Sequence, residues 1–151
     1  METDDPIKTS ESFVKTAEAE GFSFDFSLKS LEFEIDKYLE KYYLLDEESK
    51  FRAECDLTAY IGETIRRLYQ GEWEGEYFGS SSSYRGSNFY TCKVKIGKFV
   101  FYPNHFIAYY LSNGKKSEGT FYDYLHNRDY SKGIFHDFLG GGLLNIIENE
   151  K

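Results

Sequence analysis

Histidines, serines, cysteines and closely spaced carboxylates are the residues of this chain that could carry out catalysis or bind a metal. The only histidines are His105, His126 and His136. No HExxH or comparable spacing joins them into a metal site, and the neighbours His136 and Asp137 would project in different directions from a helix. We therefore expect each histidine at the surface or at a helix end, and we predict neither a metal nor a cofactor.

The serine run, the glycine run and the paired glutamates do not form a catalytic signature either. Serines 80–83 lack the glycines of a nucleophile elbow, and glycines 140–142 follow a helical pattern instead of the strand that a phosphate-binding loop requires. Glu72 and Glu74 share one side of a predicted strand, where acid–base work is geometrically possible. We interpret them as an exposed acidic edge and predict that the chain is not an enzyme. A small hydrolase or transferase that uses acids and a histidine is the alternative.

The two cysteines lie in different predicted elements, Cys55 in a helix and Cys92 in a strand. Two cysteines are too few for a disulfide scaffold, and they lack the spacing of metal ligands. We expect both to be small, buried side chains.

The overall charge points to one kind of partner. The chain carries 26 acidic and 18 basic residues, for a formal net charge of −8. Such a surface repels nucleic-acid backbones and anionic membranes, so we predict neither as a partner and expect a basic protein. Fourteen tyrosines and fourteen phenylalanines give a ring-rich core, and any tyrosines left outside it make good contact surface.

The length of 151 residues predicts a single domain, residues 9–151, after a flexible tail at residues 1–8. The N-terminal stretch METDDPIKTSES has neither the basic nor the apolar region of a signal peptide, and no stretch approaches the roughly 18 apolar residues of a membrane span. We expect a cytoplasmic protein.

Helical periodicity fills the first half of the chain. A short helix capped by Thr9 or Ser10 is expected to end at Gly21, and a second is expected from the cap Ser27 to about residue 43. The third begins at the cap Asp46 and stops at Gly71.

The third predicted helix contains Gly62, which costs about 1 kcal/mol relative to alanine. We explain this glycine by the close approach of another element. Its neighbour Glu63 is expected to form a surface pair with Arg66 or Arg67, worth a few tenths of a kcal/mol.

Alternating patterns follow in the second half. Strands are predicted at 72–78, 88–96 and 98–102, with Gly97 in a tight turn and a polar loop over 79–87. Pro103 starts a further helix, and helical patterns recur at 120–127 and 134–150. The fold class is α+β, with N-terminal helices packed on a small antiparallel three-stranded meander and C-terminal helices after it.

Several of these features together resemble a known group. Ala-Tyr-Ile-Gly-Glu at 59–63, Gly-Glu-Trp at 71–73 and Phe-Tyr-Pro at 101–103 are similar to the Gly-Glu helix, Gly-x-Trp strand and apolar-Pro strand end of a group of small bacterial domains of unknown function. The layout also resembles small immunity proteins encoded beside bacterial toxins. The likeness covers about residues 50–112, and it departs at 108–110, where Ala-Tyr-Tyr replaces the Lys-Arg pair expected after the proline.

The resemblance implies a bacterial, non-enzymatic protein that binds a protein partner. Together with acidity and the lack of catalytic motifs, it predicts an immunity protein that neutralises a cognate toxin by occluding its surface. An adaptor or regulatory module is the alternative. The predicted contacts follow the first strand and the loop after it: Glu72, Trp73, Glu74, Glu76, Tyr77, Tyr84 and Arg85. Trp73 has a second interpretation as a core residue.

Overall fold

The computed structural model describes residues 5–77, 92–97, 99–105, 107–108 and 110–111. Within them, three helices precede a three-stranded antiparallel sheet, which confirms the predicted α+β class. The predicted loop with Tyr84 and Arg85, the helical patterns at 120–127 and 134–150, and His126 and His136 lie outside the described residues.

The first helix, α1, spans Pro6–Ala19 and begins earlier than predicted. The Asp5 carboxylate accepts a hydrogen bond from the Ile7 amide at 2.8 Å, and Pro6 occupies the first turn, where its missing N–H is harmless. The predicted caps Thr9 and Ser10 are therefore wrong, and residues 6–8 lie in the first turn of α1. Gly21 follows the helix with φ +94°, the left-handed conformation expected of it.

The second helix, α2, and the third, α3, begin at the predicted caps. Helix α2 spans Leu28–Tyr42 and is capped by Ser27; helix α3 spans Glu47–Tyr69 and is capped by Asp46, which accepts the Ser49 amide at 2.7 Å. The end of α3 differs from the prediction, since the left-handed residue is Gln70, at φ +56°.

Gly71 has a packing role instead of ending α3. A Cβ at Gly71 would lie 2.8 Å from Val94 Cγ1 and 2.9 Å from the Lys95 carbonyl oxygen, so a side chain would collide with the sheet. The glycine lets the chain leave α3 and enter the first strand while touching the second.

The sheet is a meander in the order β1–β2–β3, with β1 at Glu72–Glu74, β2 at Lys93–Ile96 and β3 at Phe99–Phe101. Gly97 connects β2 and β3 at φ +58°, as the predicted tight turn requires. In their described parts the strands are shorter than predicted, and β1 ends before Gly75, whose φ of +87° interrupts the extended backbone.

The core lies between the helices and the inner face of the sheet. A cluster of rings joins α1, α2, α3 and the crossing segment 22–27, and Val94 and Phe101 cover it from the sheet. Phe24 lies 5.0 Å from Phe13 and 4.9 Å from Tyr60, measured between ring centroids. After β3 the chain turns helical at Pro103, as predicted, and Ile107 and Tyr110 are buried against the same core. Among the described helices, none is both long and apolar enough to cross a membrane.

Candidate protein-binding edge

Trp73, in the middle of β1, is fixed from two sides. Its indole Nε1 donates a hydrogen bond to Glu63 Oε1 at 3.0 Å. Its ring packs on Gly62, where a Cβ would lie 2.2 Å from Trp73 Cη2 and 3.1 Å from Pro103 Cγ. The prediction that Gly62 permits a close approach is thus confirmed, and the approaching groups are the tryptophan and the proline. Trp73 is half-buried, so it serves the core and retains some exposed area.

Glu63 is the centre of this arrangement, and its side chain is fully buried. Arg66 donates to it twice, from Nε to Oε1 and from Nη2 to Oε2, each at 2.7 Å. Arg67 Nε donates to Oε2 at 2.7 Å. The predicted partners are correct, but the expected surface location is wrong because Trp73 covers this turn of α3. A buried, multiply bonded carboxylate matters far more to the fold than a surface pair.

The protonation state of Glu63 follows from these contacts. Burial raises the pKa of its carboxyl group, but the hydrogen bonds from Arg66, Arg67 and Trp73 outweigh burial and hold the pKa below its ordinary value. The hydrogen bond to Glu63 in turn raises the pKa of Arg66. A carboxylate held ionised by two guanidinium groups is suited to positioning other groups rather than to transferring a proton.

Arg67 extends the network away from the sheet. Its guanidinium carbon lies 3.8 Å from the centroid of the Phe26 ring, and its Nη2 lies 3.3 Å from Glu11 of α1. Phe26 has a φ of +62°, which is unusual for a bulky residue, and its amide donates to the Tyr60 hydroxyl at 2.9 Å. Contacts of one arginine and one glutamate therefore connect α1, the crossing segment, α3 and β1.

The predicted acidic strip lies at the border of the described sheet, because β1 is its outer strand among the described residues. Glu72 and Glu76 are exposed, and Glu74 is partly exposed. The register places Glu72 opposite Lys95 and Glu74 opposite Lys93, so a row of acids on β1 lies beside a row of bases on β2. The prediction placed both lysines on one face of β2, and adding the antiparallel register would have revealed these pairs.

Tyr77 differs from the other predicted contacts, because it is only 2% exposed. Its hydroxyl donates to the Cys55 carbonyl oxygen at 2.5 Å, and it packs in a small apolar cluster with Cys55 and Cys92. Strict alternation from Trp73 already places Tyr77 on the inner side, and Tyr77 is buried there although the strand itself ends before Gly75. Tyr77 therefore supports the edge from inside and does not supply exposed contact area.

Two cysteines and one histidine lie within the described residues. Both cysteines are buried, as expected, and neither is in a disulfide; burial raises the pKa of Cys92 to about 12. The His105 ring stacks on Tyr102 at 5.0 Å between centroids. Within the described residues, no group of three or more histidine, cysteine or acidic side chains is arranged to hold a metal ion.

Comparisons with known proteins add no relative: no family model, curated protein or solved structure matches the chain. Its geometry and its sequence are therefore the basis for the function proposed below.

Proposed function

We propose that this chain is a bacterial immunity protein that binds a basic cognate toxin and occludes its active or binding surface without catalysis. The observation that carries the proposal is the construction of β1. Trp73 packs on Gly62 and donates a hydrogen bond to Glu63, and these two contacts hold β1 in place. The strand is short, and its acids Glu72 and Glu74 retain exposed surface. A surface that is ordered before binding loses little conformational entropy in the complex.

The acids of the β1 edge and the net charge of the whole chain contribute to binding in different ways. Lys93 and Lys95 balance Glu74 and Glu72 across the sheet face, so the acids act mainly from the side of β1 that is turned away from β2. The net charge of −8 supplies the longer-range attraction that speeds the encounter with a basic domain. Specificity then comes from the fixed position of the acids and of the exposed part of Trp73.

The lysines on β2 favour a second candidate, an adaptor module for a partner of mixed charge. A face with a row of glutamates beside a row of lysines fits a partner that carries complementary basic and acidic rows as well as a basic one. This candidate predicts that no neighbouring gene encodes a toxin. It also predicts that deletion of the gene for this chain alone has a phenotype.

Co-expression with the product of the adjacent gene tests the leading proposal. We expect the neighbour alone to stop growth, and we expect the pair to grow and to yield a complex. Titration of the purified neighbour should show full inhibition at one equivalent of this chain, because occlusion is stoichiometric. A toxic neighbour that neither binds this chain nor is neutralised by it would exclude the proposal, and neutralisation by substoichiometric amounts would show a catalytic mechanism instead.

A further inference from the structure

The exposed side of α2 carries one continuous row of residues. Among the described residues of this helix, the exposed ones are Lys29, Phe33, Lys37 and Glu40. Their spacing of four, four and three residues places them on one side of a helix. Leu44 follows Glu40 by four residues and continues the row, because the chain makes a further hydrogen-bonded turn after α2. Phe33, Lys37, Glu40 and Leu44 together are called the α2 stripe below.

The exposed apolar residues of the described part of the chain are concentrated at this stripe. Phe33 is 61% exposed and Leu44 is 87% exposed, and the third large hydrophobic residue that is exposed is Tyr43, the neighbour of Leu44. A single exposed apolar residue needs no explanation, but three on one helix and the turn after it indicate a contact surface. None of the predicted toxin contacts lies on α2, so this surface is separate from the β1 edge.

The order of side chains along the stripe is self-complementary. Phe33 lies four residues before Lys37, and Leu44 lies four residues after Glu40, so the two apolar ends are equally far from the charged centre. The ends are about 16 Å apart at 1.5 Å per residue. A twofold axis through the middle of the stripe, perpendicular to the helix, therefore places Phe33 on Leu44 of a second copy and Lys37 on Glu40 of that copy.

The charges select the antiparallel arrangement. In a parallel pair of helices each residue would face its own equivalent, so lysine would meet lysine and glutamate would meet glutamate. Lys37 lies 3.7 Å from Glu34, but its side chain remains 56% exposed and its ammonium group has three N–H donors. Glu40 has no hydrogen bond or ion pair with any described residue. Both charges are therefore able to reach a second copy.

We propose that the α2 stripe binds the α2 stripe of a second copy of this chain, in an antiparallel dimer with twofold symmetry. The contact is small, because one pair of helices buries less than the roughly 1,600 Å² of a standard interface. The net charge of −8 on each copy also opposes association. We expect a weak dimer, with a dissociation constant of about 0.1 mM. The proposal goes beyond the binding of a toxin and does not depend on it.

Sedimentation equilibrium of the full chain tests the dimer. We expect the average mass to rise from the 17.7 kDa of one chain toward twice that value between about 10 µM and about 1 mM. A mass that stays at 17.7 kDa over this range would overturn the proposal.

Leu44→Ser tests the apolar ends of the stripe. Leu44 is 87% exposed in the single chain, so the substitution should leave the fold intact, whereas the dimer loses two apolar contacts. We expect the dissociation constant to rise at least about fivefold. An unchanged dissociation constant would show that the copies associate through another surface.

A charge swap tests the antiparallel pairing. Lys37→Glu and Glu40→Lys each place like charges opposite each other and should weaken the dimer by about 3- to 20-fold, whereas the double variant restores opposite charges and should recover most of the affinity. General repulsion predicts otherwise, because Glu40→Lys lowers the net negative charge and would strengthen association. A double variant as weak as the single ones, with an intact circular dichroism spectrum, would contradict the antiparallel pairing.

Two exposed residues of α1 provide the matched controls. Lys15→Glu and Glu18→Lys make the same changes in net charge away from the stripe. We expect less than about a twofold change from each, weaker for the first and stronger for the second. Effects as large as those of the stripe variants would mean that net charge alone controls association.

The dimer and the proposed function fail in different ways. Dimerisation of a chain that does not neutralise the adjacent gene product would keep the dimer and remove the toxin. A chain that stays monomeric, but binds the toxin less tightly as Leu44→Ser, would have the toxin on this stripe and would overturn the dimer. At about 1 µM, a concentration suited to unfolding and toxin-binding measurements, so weak a dimer is dissociated, and Glu40→Gln remains a neutral substitution there.

Discussion

Glu63 is a fully buried carboxylate that accepts hydrogen bonds from Arg66, Arg67 and Trp73. Its importance was hidden in the sequence. A glutamate three and four residues before two arginines is the ordinary pattern of a surface pair, and only the return of the chain as β1 buries it. The contact with Trp73 spans ten residues and a turn, so helical periodicity could not reveal it.

The first prediction concerns the charge of Glu63. Glu63→Gln keeps the shape of the side chain but removes the charge and points an amide at an arginine donor. We expect the free energy of unfolding to fall by about 2–3 kcal/mol, less than for a fully enclosed ion pair because both arginines are partly exposed. Urea denaturation measures it, with the exposed Glu40→Gln expected to change stability by less than about 0.5 kcal/mol. Equal stability of the two variants would contradict the role of Glu63.

The second prediction gives the pH dependence of the same contact. Because the folded-state pKa of Glu63 lies below its ordinary value of 4.5, the carboxylate contributes its full stability above the unfolded-state pKa. That contribution is lost as pH falls through the folded-state pKa. The stability difference between the unaltered chain and Glu63→Gln should therefore be largest near neutral pH and shrink in acid. Urea denaturation between pH 7 and pH 3 measures it, and a difference independent of pH would exclude this linkage.

At the scale of elements, the contact between α3 and β1 depends on a missing side chain. The third prediction is that Gly62→Ala lowers the free energy of unfolding by about 1–3 kcal/mol, because the displaced Trp73 ring outweighs the gain of about 1 kcal/mol in helix propensity. Fluorescence reports the displacement directly, since Trp73 is the only tryptophan, and its emission should shift to the red.

A double-mutant cycle provides the control for Gly62. Phenylalanine lacks the atoms equivalent to Trp73 Cζ2 and Cη2, the two nearest to the added methyl group. In a Trp73→Phe background, Gly62→Ala should therefore lose most of its cost. An unchanged cost would mean that another contact, such as the one with Pro103, explains the glycine.

The fourth prediction concerns the start of α1. Asp5→Ala removes the acceptor for the Ile7 amide and should destabilise the fold by about 1 kcal/mol, whereas Asp5→Ser retains a capping oxygen and should lose much less. Thermal unfolding followed by circular dichroism measures both. If both variants unfold at the same temperature as the unaltered chain, the helix does not depend on this cap.

Local signals explain which elements could be predicted from the sequence. The caps Ser27 and Asp46 and the turn glycine Gly97 act through neighbouring residues, and all three are where the sequence places them. Asp5-Pro6 is an equally local start signal, which the prediction did not use. The end of β1 depends on a positive φ at Gly75, which alternation does not reveal. Alternation does place Tyr77 on the side of Trp73, but the hydrogen bond of its hydroxyl to the Cys55 carbonyl oxygen depends on packing against α3.

At the scale of the whole molecule, the predicted α+β architecture is confirmed, whereas the binding surface remains a proposal. The net charge could be counted in advance, but its distribution could not, because the pairing of Glu72 and Glu74 with lysines of β2 depends on the register. The β1 edge therefore defines where a basic partner should be sought.

The most direct test is the affinity of the adjacent gene product for two double variants that carry the same net charge. Glu72→Gln with Glu74→Gln neutralises the β1 edge, and Glu18→Gln with Glu40→Gln removes two exposed acids from α1 and α2. We expect a dissociation constant about 3- to 10-fold higher for the edge variant, mainly through slower association, and little change for the control. Equal affinities of the two variants would contradict the claim that the β1 edge is the surface read by the toxin.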